Sequence, residues 1–313
     1  MRILLAGATG VIGRHLVPRL VGAGHEVVGS TRSLDRVAAL EDAGAAPVQM
    51  DPLDVGSVLA AVEQAEPDVI VHQLTALAGG INPKRFDQDF AMTNRLRTEA
   101  LDHLLAAARK MGVRRFVAQS FTGWTNPRSG GPVVDESAGL DPDPAPGARE
   151  TLAAIAHVEE AVAGAEDLDG LVLRYGMLYG PGTAVARGGD MLESVARGKF
   201  PVVAGGRGVW SFVHVADAAA ATVRAIEQGA VGIYNIVDDD PAPVAEWLPA
   251  LAEAGGGSRP RAVPGWLARP MIGRHGLNMM TAARGASNAR AKADLGWRPV
   301  HPSWREGFRT SLG

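Results

Sequence analysis

The first half of the chain alternates short apolar runs with longer segments in which apolar residues recur at helical spacing. Arg2–Ala6 is the first apolar run, and Val11–Val21 follows it with helical spacing. Because strands separated by helices take right-handed crossovers, the alternation predicts an α/β fold: a doubly wound parallel sheet with helices on both faces. The further predicted strands are His25–Ser30, Val48–Met50, Asp68–Gln73, Arg114–Ser120 and Gly170–Arg174, and the further predicted helices are about Arg85–Met111 and Ala148–Ala163.

The second half of the chain is less regular. Between Phe121 and Gly147 the pattern gives way to Gly, Pro, Ser and Asp, which predicts a long surface loop. Beyond Gly180 the periodicity weakens, which indicates a smaller C-terminal lobe fed by insertions after the later strands. In this part we predict a strand at Val231–Val237 and helices near Val244–Ala254 and Asn288–Leu295.

Composition narrows the class of protein. The chain has 313 residues, of which 46% are hydrophobic and 21% charged, and its net charge is −3, so no basic surface for nucleic acid is expected. It has no cysteine, which excludes disulfides, thiolate metal sites and cysteine nucleophiles. We find no secretion signal and no apolar run near the roughly 18 residues of a membrane helix. We therefore expect a cytoplasmic protein with neither nucleic acid nor a membrane as partner.

A glycine-rich segment follows the first predicted strand and opens the first predicted helix. It runs Gly7-Ala8-Thr9-Gly10-Val11-Ile12-Gly13, with the spacing G-x-x-G-x-x-G. Gly7 permits a tight turn, Gly10 lets the backbone approach a pyrophosphate, and Gly13 lets helix and strand pack closely. The free amides of the helix N-terminus stabilise the anion. The pattern therefore predicts that Gly7, Thr9, Gly10, Val11, Ile12 and Gly13 bind a dinucleotide; the alternative is a plain glycine-rich turn.

The end of the second strand bears on which dinucleotide is bound. NAD-binding folds usually carry Asp or Glu there for the ribose hydroxyls, whereas this chain has Gly29-Ser30-Thr31-Arg32. Arg32 can hold a 2′-phosphate through two hydrogen bonds, with Arg36 or Arg14 assisting. We therefore favour NADP over NAD, with an ordinary surface arginine as the alternative interpretation of Arg32.

Several later segments complete a pattern in a fixed order. They are Met50-Asp51-Pro52-Leu53, Val71–Ala76, Asn94, Phe116–Ser120, Leu173-Arg174-Tyr175, Tyr179–Gly182, Phe212–Asp217 and Leu295-Gly296-Trp297. Together with the glycine loop they resemble the extended short-chain dehydrogenase/reductases, the NAD-dependent epimerase/dehydratase family. The resemblance covers essentially the whole chain. It implies a Rossmann-type fold, with a nucleotide-binding domain at 1–170 and, at 171–313, the last sheet strands and a smaller substrate lobe.

The resemblance also implies roles for individual residues. Asp51 and Pro52 fall where the family contacts adenine, and Gln73, Leu74 and Thr75 fall in the segment that lines the cofactor. Asn94 takes the position of the family's structural Asn, and Ser120 that of its active-site Ser or Thr. Tyr175 is expected to pack against the cofactor. Because members of the family commonly dimerise, a homodimer is also implied.

The chain departs from the family at the catalytic helix. The family uses Tyr-x-x-x-Lys there, with Tyr as acid/base and Lys lowering its pKa and holding the ribose. Aligning this helix on its glutamates places Thr151 or Leu152 at the Tyr position and Ile155 or Ala156 at the Lys position. The chain has three tyrosines, and none is followed by Lys four residues later. The usual dyad is therefore missing.

Four hydroxyl residues remain as candidates for the chemistry. Ser120 is a candidate hydrogen-bond donor to a substrate carbonyl, with Thr122 nearby, although Ser120 can equally be a strand-end hydroxyl satisfied by backbone. Thr151 is a weak acid, and Tyr175 is a tempting replacement phenol. A positioned water can supply the proton instead, at a cost of about 10²–10⁴ in rate. No His, Asp and Glu have metal-ligand spacing, so no metal is expected.

The substrate side and the reaction stay open at this stage. Met177 stands where sugar-nucleotide enzymes commonly present Asn, and with Leu178, Trp210, Met279 and Met280 it indicates an apolar pocket or plain core. Our first hypothesis is an NADP-dependent oxidoreductase acting on a small carbonyl or enone. The alternatives are a redox-neutral isomerase, lyase or cyclase that uses the same pocket, and a non-catalytic NADP-sensing or scaffold protein.

Overall fold

The computed structural model describes residues 1–77 and 80–313. The strands in these ranges are β1 (Arg2–Ala6), β2 (Glu26–Thr31), β3 (Ala46–Gln49), β4 (Val69–His72), β5 (Arg115–Phe121), β6 (Val133–Val134), β7 (Asp169–Tyr175), β8 (Met177–Tyr179), β9 (Val202–Val203), β10 (Val209–Trp210), β11 (Phe212–His214), β12 (Gly232–Ile236), β13 (Ala242–Pro243), β14 (Ala262–Val263) and β15 (Gly285–Ala286).

The helices of the described residues lie between these strands. They are α1 (Val11–Gly22), α2 (Val37–Asp42), α3 (Val55–Ala65), α4 (Phe86–Asp89), α5 (Ala91–Arg97), α6 (Glu99–Met111), α7 (Arg149–Ala163), α8 (Asp190–Ala196), α9 (Val215–Gln228), α10 (Val244–Ala254), α11 (Gly265–Thr281), α12 (Ala289–Asp294) and α13 (Trp304–Thr310). Single 3₁₀ turns are found at Leu34–Arg36, Pro83–Arg85, Glu136–Ala138 and Pro146–Ala148. None of the helices in the described ranges has the length and apolar character that crossing a bilayer demands.

A parallel sheet forms the centre of the molecule. In the described residues it has seven strands in the order β12-β7-β5-β4-β1-β2-β3. Ile3 on β1 lies between Val27 on β2 and Val69 on β4, which fixes the register of the three central strands. The chain moves from β1 outward to β3 and then returns to pair β4 with the other side of β1. That reversal opens a crevice at the carboxyl ends of β1 and β4, where ligands bind in folds of this type.

Each face of the sheet carries its own apolar core. On one face α1 and α9 pack against it, with Leu16, Ala221 and Ile226 fully buried. On the other face α3, α6 and α7 cover it, with Leu104 and Val162 fully buried. The expected Rossmann-type doubly wound fold is therefore confirmed. The predicted strands are present, with ends that match or differ by one or two residues, whereas α2, α3, α8, α11 and α13 were not predicted.

A third apolar cluster holds the later part of the chain together. It joins residues of β11, α10 and α13, including Phe212, Trp247, Trp304 and Phe308, all within edge-to-face or tilted ring contact. Short two-stranded pairings, such as β8 with β11 and β9 with β14, connect these elements. The predicted helix at Val244–Ala254 is found with the same ends.

Two sequence predictions need correction. The predicted helix at about Arg85–Met111 is bent into α4, α5 and α6, although the i to i−4 backbone bonds run on through Phe90 and Thr98. The hydroxyl of Thr98 donates to the Asn94 carbonyl, a contact that bends helices. The segment between Phe121 and Gly147 is a surface loop only in part. Its residues Thr122, Thr125 and Asn126 are buried because β6 pairs with β15 and anchors the loop to the later part of the chain.

Candidate active site

The glycine loop has the geometry that its spacing predicts. Gly7 has φ +96°, and a Cβ at Gly7 would lie 2.6 Å from the Gln73 carbonyl oxygen. A Cβ at Gly13 would lie 2.3 Å from the Gly7 carbonyl oxygen, so neither position tolerates a side chain. Gly10 donates its amide to the Gly7 carbonyl at 3.0 Å and precedes α1 without any side-chain cap. The first-turn amides of α1 therefore face the crevice without an intrahelical acceptor, and a pyrophosphate fits there.

The predicted adenosine-side residues lie at the carboxyl ends of β2 and β3. Arg32 is exposed, and its guanidinium has no hydrogen bond or ion pair to another described residue. Asp51 is also exposed, and its Oδ1 accepts the Leu53 amide at 3.1 Å. The Pro52 carbonyl faces His103 Nδ1 at 3.1 Å. The fold thus brings Arg32 to the edge of the crevice with its charge available to a ligand.

The segment after β4 crosses the mouth of the crevice. Gln73 is buried; its Nε2 donates to the Tyr175 hydroxyl at 2.9 Å, and its Oε1 has no partner among the described residues. The Leu74 carbonyl accepts from Gln119 at 3.2 Å, whereas the side chain of Thr75 is exposed. Thr9, in the turn between β1 and α1, and Leu74 and Thr75, after β4, therefore lie at the same end of the sheet as the glycine loop, and the Gln73 side chain is buried beside them.

Tyr175 lies in the core of the sheet. Its hydroxyl contacts Thr222 Oγ1 at 2.7 Å and Gln73 Nε2 at 2.9 Å, and 3% of the residue is exposed. Burial raises the pKa of Tyr175 to about 12. A phenol with this pKa and both hydrogen bonds satisfied is poorly placed to donate a proton to a substrate. The structure favours the packing role for Tyr175 over the catalytic one.

Ser120 belongs to a buried polar group at the ends of β5 and β7. Its hydroxyl donates to Glu159 Oε1 at 2.9 Å, and Arg174 donates to the same carboxylate at 2.7 and 2.6 Å. Ser120, Glu159 and Arg174 are all at least nine-tenths buried. The hydroxyl proton of Ser120 is therefore committed to Glu159, and what Ser120 can offer a ligand is an acceptor lone pair.

The remaining two hydroxyl candidates are also engaged. Thr122 is buried and donates to Asn126 Oδ1 at 3.1 Å. Thr151 donates its hydroxyl to Asp87 Oδ1 at 2.7 Å, and its amide donates to the same oxygen at 2.9 Å. Asn94 Nδ2 donates to the Thr151 hydroxyl at 3.1 Å. The structure thus brings Asn94 and Thr151 together, and Asp87 accepts hydrogen bonds from the first turn of α7.

The two glutamates near the end of α7 differ in environment. Glu159 is 7% exposed and paired with Arg174, whereas Glu160 is exposed. A buried, paired glutamate is the natural anchor for an alignment on this helix. It favours placing Thr151 at the family's Tyr position and Ile155 at its Lys position.

Arg97, at the end of α5, was not among the residues predicted from the sequence. It is 7% exposed, and its Nε and Nη1 are enclosed with no partner among the described residues. Burial lowers the pKa of Arg97 to about 10, so it stays charged at neutral pH. The sequence did contain a signal: Arg97 lies on the same helical face as Leu101 and Leu104, where an apolar residue is expected.

An aromatic cluster joins α4, the loop after β5 and α11. Phe86 stacks on Phe90 with ring centroids 4.3 Å apart, and Trp124 and His275 pack against Phe86 at 5.1 and 4.3 Å. Trp124 and His275 also line a narrow cleft with Met279, whereas Met280 is buried in the third apolar cluster. Trp210 packs on Trp247 at 4.6 Å and belongs mainly to the core. Of the predicted apolar pocket, Met279 is the residue that borders this cleft.

One group of side chains in the described ranges has the proximity of metal ligands: His214, Asp217 and His301. Most of its potential ligand atoms are already used within the protein, although His214 Nε2 is buried without a hydrogen-bond partner among the described residues. His214 Nδ1 accepts the Ala216 amide and so caps α9, and Asp217 accepts the amides of Val300 and His301. The group therefore joins the C-terminal segment to the first turn of α9.

The fold and the glycine loop are those of a known family. Residues 3–237 match the model of the NAD dependent epimerase/dehydratase family, and the chain belongs to that family. It is 48% identical over 311 residues to a 3-diazoavenalumate denitrifying reductase of a Streptomyces species. The alignment covers 98% of this chain and 99% of that protein.

More distant relatives agree on the fold. The chain is 30% identical over 273 residues to the 2-alkyl-3-oxoalkanoate reductase of Stenotrophomonas maltophilia, covering 83% of this chain and 77% of that one. Among solved structures, UDP-glucose 4-epimerase of Thermus thermophilus in complex with NAD superposes with a TM-score of 0.74 at 25% identity. The alignment covers 100% of this chain and 98% of that one.

Proposed function

We propose that this protein is an NADPH-dependent reductase of a small diazonium compound. Two features support the cofactor part of the proposal. The glycine loop leaves the amides at the start of α1 open to a pyrophosphate, and Arg32 presents a guanidinium, unpaired among the described residues, where a 2′-phosphate would lie. The residues that would hold the dinucleotide are Gly7, Thr9, Gly10, Val11, Ile12, Gly13, Arg32, Asp51, Pro52, Leu74 and Thr75.

The observation that carries the reaction part is the lack of a free proton donor among the candidate residues. Ser120 donates to Glu159, Thr151 donates to Asp87, and Tyr175 is buried with its pKa raised to about 12. Ile155, at the Lys position that Glu159 indicates, has no donor at all. A reduction suited to this site needs a hydride but no general acid.

Reduction of a diazonium group meets that requirement. A bound reduced nicotinamide supplies a hydride, and a diazonium ion plus a hydride gives a C–H bond and N₂, with no proton in the balance. Nitrogen leaves as a neutral gas, so no alkoxide develops. The 48% identical Streptomyces relative is named a 3-diazoavenalumate denitrifying reductase, a name that joins a diazo group, a reduction and denitrification. On this proposal the protein binds and orients the substrate and the nucleotide and excludes water from between them, and it does not transfer a proton.

Carbonyl reduction is the second candidate, and the name of the Stenotrophomonas relative favours it. A ketone plus a hydride gives an alkoxide, which must take up a proton. With the candidate hydroxyls engaged, water would have to supply that proton, at a cost of about 10²–10⁴ in rate relative to a positioned acid. We therefore place the diazo substrate first.

The test has a binding step and a turnover step. NADPH and NADH are titrated in parallel, with tryptophan fluorescence as the signal. The protein is then mixed with NADPH deuterated at C4 and a diazotised aminobenzoate, and deuterium in the benzoate product is measured against a protein-free control. We expect tighter binding of NADPH than of NADH, and enzyme-dependent transfer of deuterium to carbon with release of N₂.

Each other outcome contradicts a stated part of the proposal. If the protein binds neither NADPH nor NADH, the proposal that it is a reductase is wrong. Turnover of a ketone panel with no acceleration for the diazonium compound moves the second candidate to first place. Tight NADPH binding with no turnover of either class favours the sensing or scaffold alternative.

A further inference from the structure

Arg97 is a buried cation without a counter-charge among the described residues. Its Nε and Nη1 have no hydrogen-bond acceptor there, and burial is the cause of its lowered pKa, with no carboxylate opposing it. The guanidinium carbon of Arg97 lies over the Phe90 ring, 5.8 Å from the ring centroid. An uncompensated buried charge is strongly unfavourable, so a residue of this kind is retained when a ligand completes its contacts.

The helices around Arg97 fix its position relative to the crevice. Leu96 accepts from His72 Nε2 at 2.9 Å, and Thr93 accepts the Ala76 amide at 3.1 Å. Both contacts attach α5 to the end of β4 and to the segment that follows it. Arg97 therefore lies beside the carboxyl end of β4, which borders the ligand crevice of this fold.

Two contacts between neighbouring helices set the level of Arg97 along α7. Asn94 donates to Thr151 on α7. Asp102, eight residues after Asn94, contacts His157, six residues after Thr151, at 2.7 Å. Because both contacts advance in the same direction along the chain, α5 and α6 run parallel to α7. At about 1.5 Å per residue, Arg97 lies about 4.5 Å beyond Asn94, and Ile155 about 6 Å beyond Thr151. The two residues are thus nearly level, and both are buried.

The unpaired atoms near this level include donors and an acceptor. Arg97 offers Nε and Nη1 as donors, and Asn94 Oδ1 is a buried acceptor without a partner among the described residues. Hydroxyl groups can satisfy both kinds of atom, because each one donates and accepts. Ile155 can do neither.

We propose that Arg97 is a cofactor-binding residue that holds the hydroxyls of the nicotinamide ribose, with Asn94 accepting from one of them. This inference rests on the proposed function, because it requires a nicotinamide dinucleotide in the crevice. Arg97 on α5 is nearly level with Ile155 on α7, and Ile155 has no polar group to offer a ribose. The cation is supplied by a neighbouring helix rather than by α7 itself.

The experiment compares two ligands that differ in the nicotinamide riboside. NADPH contains it and 2′,5′-ADP does not, so the second ligand reports the adenosine side alone. Both are titrated into the wild-type protein, Arg97→Met, Arg97→Lys and Arg95→Met. The last is the control, since Arg95 is exposed on the same helix and pairs with Glu99. Thermal unfolding without ligand is recorded for all four proteins.

We expect Arg97→Met to weaken NADPH binding by roughly 10- to 100-fold, the range of a hydrogen bond from a charged group, and to change 2′,5′-ADP binding less than about twofold. Arg97→Lys should recover part of the loss, and Arg95→Met should bind both ligands like the wild type. Without ligand, Arg97→Met should melt at the same temperature as the wild type or higher, because an unpaired buried charge has been removed.

Failure of this inference is distinguishable from failure of the proposed function. Equal weakening of both ligands, unchanged NADPH binding, or a lower melting temperature of Arg97→Met without ligand would show that Arg97 is structural. Those outcomes leave NADPH binding by the wild type intact. Absence of NADPH binding by the wild-type protein itself would overturn both proposals together.

Discussion

The carboxylate of Glu159 accepts two hydrogen bonds from the guanidinium of Arg174, at 2.7 and 2.6 Å, inside the protein. Glu159 comes from α7 and Arg174 from β7, so the pair fastens the helix to the sheet. The same carboxylate accepts a hydrogen bond from the hydroxyl of Ser120, which the sequence had suggested as a donor to a substrate carbonyl. The Glu159–Arg174 ion pair therefore positions α7 on the sheet, and Glu159 also occupies the hydroxyl donor of Ser120.

Breaking this pair on one side should be more harmful than removing it. Glu159→Met or Arg174→Met alone should lower the free energy of unfolding by about 3–5 kcal/mol, because each leaves a buried charge unpaired. The double variant should lose less than the sum of the two. Urea unfolding of the four proteins measures this coupling. Additive losses would mean that the two charges are solvated independently.

Arg32→Ala tests the choice of nucleotide. We expect it to weaken NADPH binding by about 1–3 kcal/mol and to leave NADH binding nearly unchanged, because NADH lacks the 2′-phosphate. Parallel titrations of the two nucleotides into the variant and the wild type give the comparison. Equal losses for both would refute the 2′-phosphate assignment.

Gly13→Ala tests the close contact inside the glycine loop. The added Cβ would meet two backbone oxygens, at 2.3 and 2.4 Å. We expect a loss of stability of about 1–3 kcal/mol from overpacking, together with weaker NADPH binding. Gly22→Ala is the matched control, because it lies in the same helix with nothing within 4 Å of its Cβ. It should raise the melting temperature, since Ala exceeds Gly in helix propensity by about 1 kcal/mol.

Thr151→Val asks whether this hydroxyl moves a proton. If the reaction needs no general acid, the turnover number should change less than about tenfold, whereas loss of an acid removes about 10²–10⁴. Stability should fall by about 1–3 kcal/mol, because Asp87 and Asn94 each lose a partner. Turnover is therefore measured well below the melting temperature of the variant. A drop of about a thousandfold there would restore Thr151 as the proton donor.

Acid should destabilise the protein through its buried histidines. Burial lowers the pKa of His275 from 6.5 to about 4, and the pKa values of His72 and His214 fall to about 4 for the same reason. Below pH 6.5 the unfolded chain takes up protons that the folded chain does not. Stability from these groups is therefore fully present above about pH 6.5 and falls as the pH drops toward about 4, by on the order of 3 kcal/mol per histidine.

His275→Phe should reduce that acid dependence while keeping the ring contacts with Phe86 and Trp124. Unfolding free energies of the variant and the wild type, measured from pH about 8 down to pH about 4, provide the check. The difference at pH about 8 reports packing alone, because the wild-type histidine is then neutral in both states. Parallel curves across the range would show that His275 does not contribute to the acid dependence.

Local patterns in the sequence were sufficient for the nucleotide loop and most of the sheet. Gly13 lies against the carbonyls of Gly7 and Ala8, a few residues away, and Gly7 has a positive φ that favours a residue without a Cβ, so residue type and spacing identify both. The close approach of Gly7 to the Gln73 carbonyl, in contrast, depends on the packing of β1 beside β4. The strands of the central sheet and several of the helices followed from hydrophobic periodicity. The family's segments could also be placed in order along the chain.

The roles of the polar side chains were decided by the tertiary structure. Ser120 meets Glu159 across 39 residues and Gln73 meets Tyr175 across 102, while Arg97 meets no acceptor among the described residues packed around it. Which hydroxyl keeps its proton free depends on these long-range partners. A sequence shows which polar groups are available. Burial and hydrogen-bond partners then determine the protonation state of each group and the atom to which it donates, and both are set only when the helices pack against the sheet.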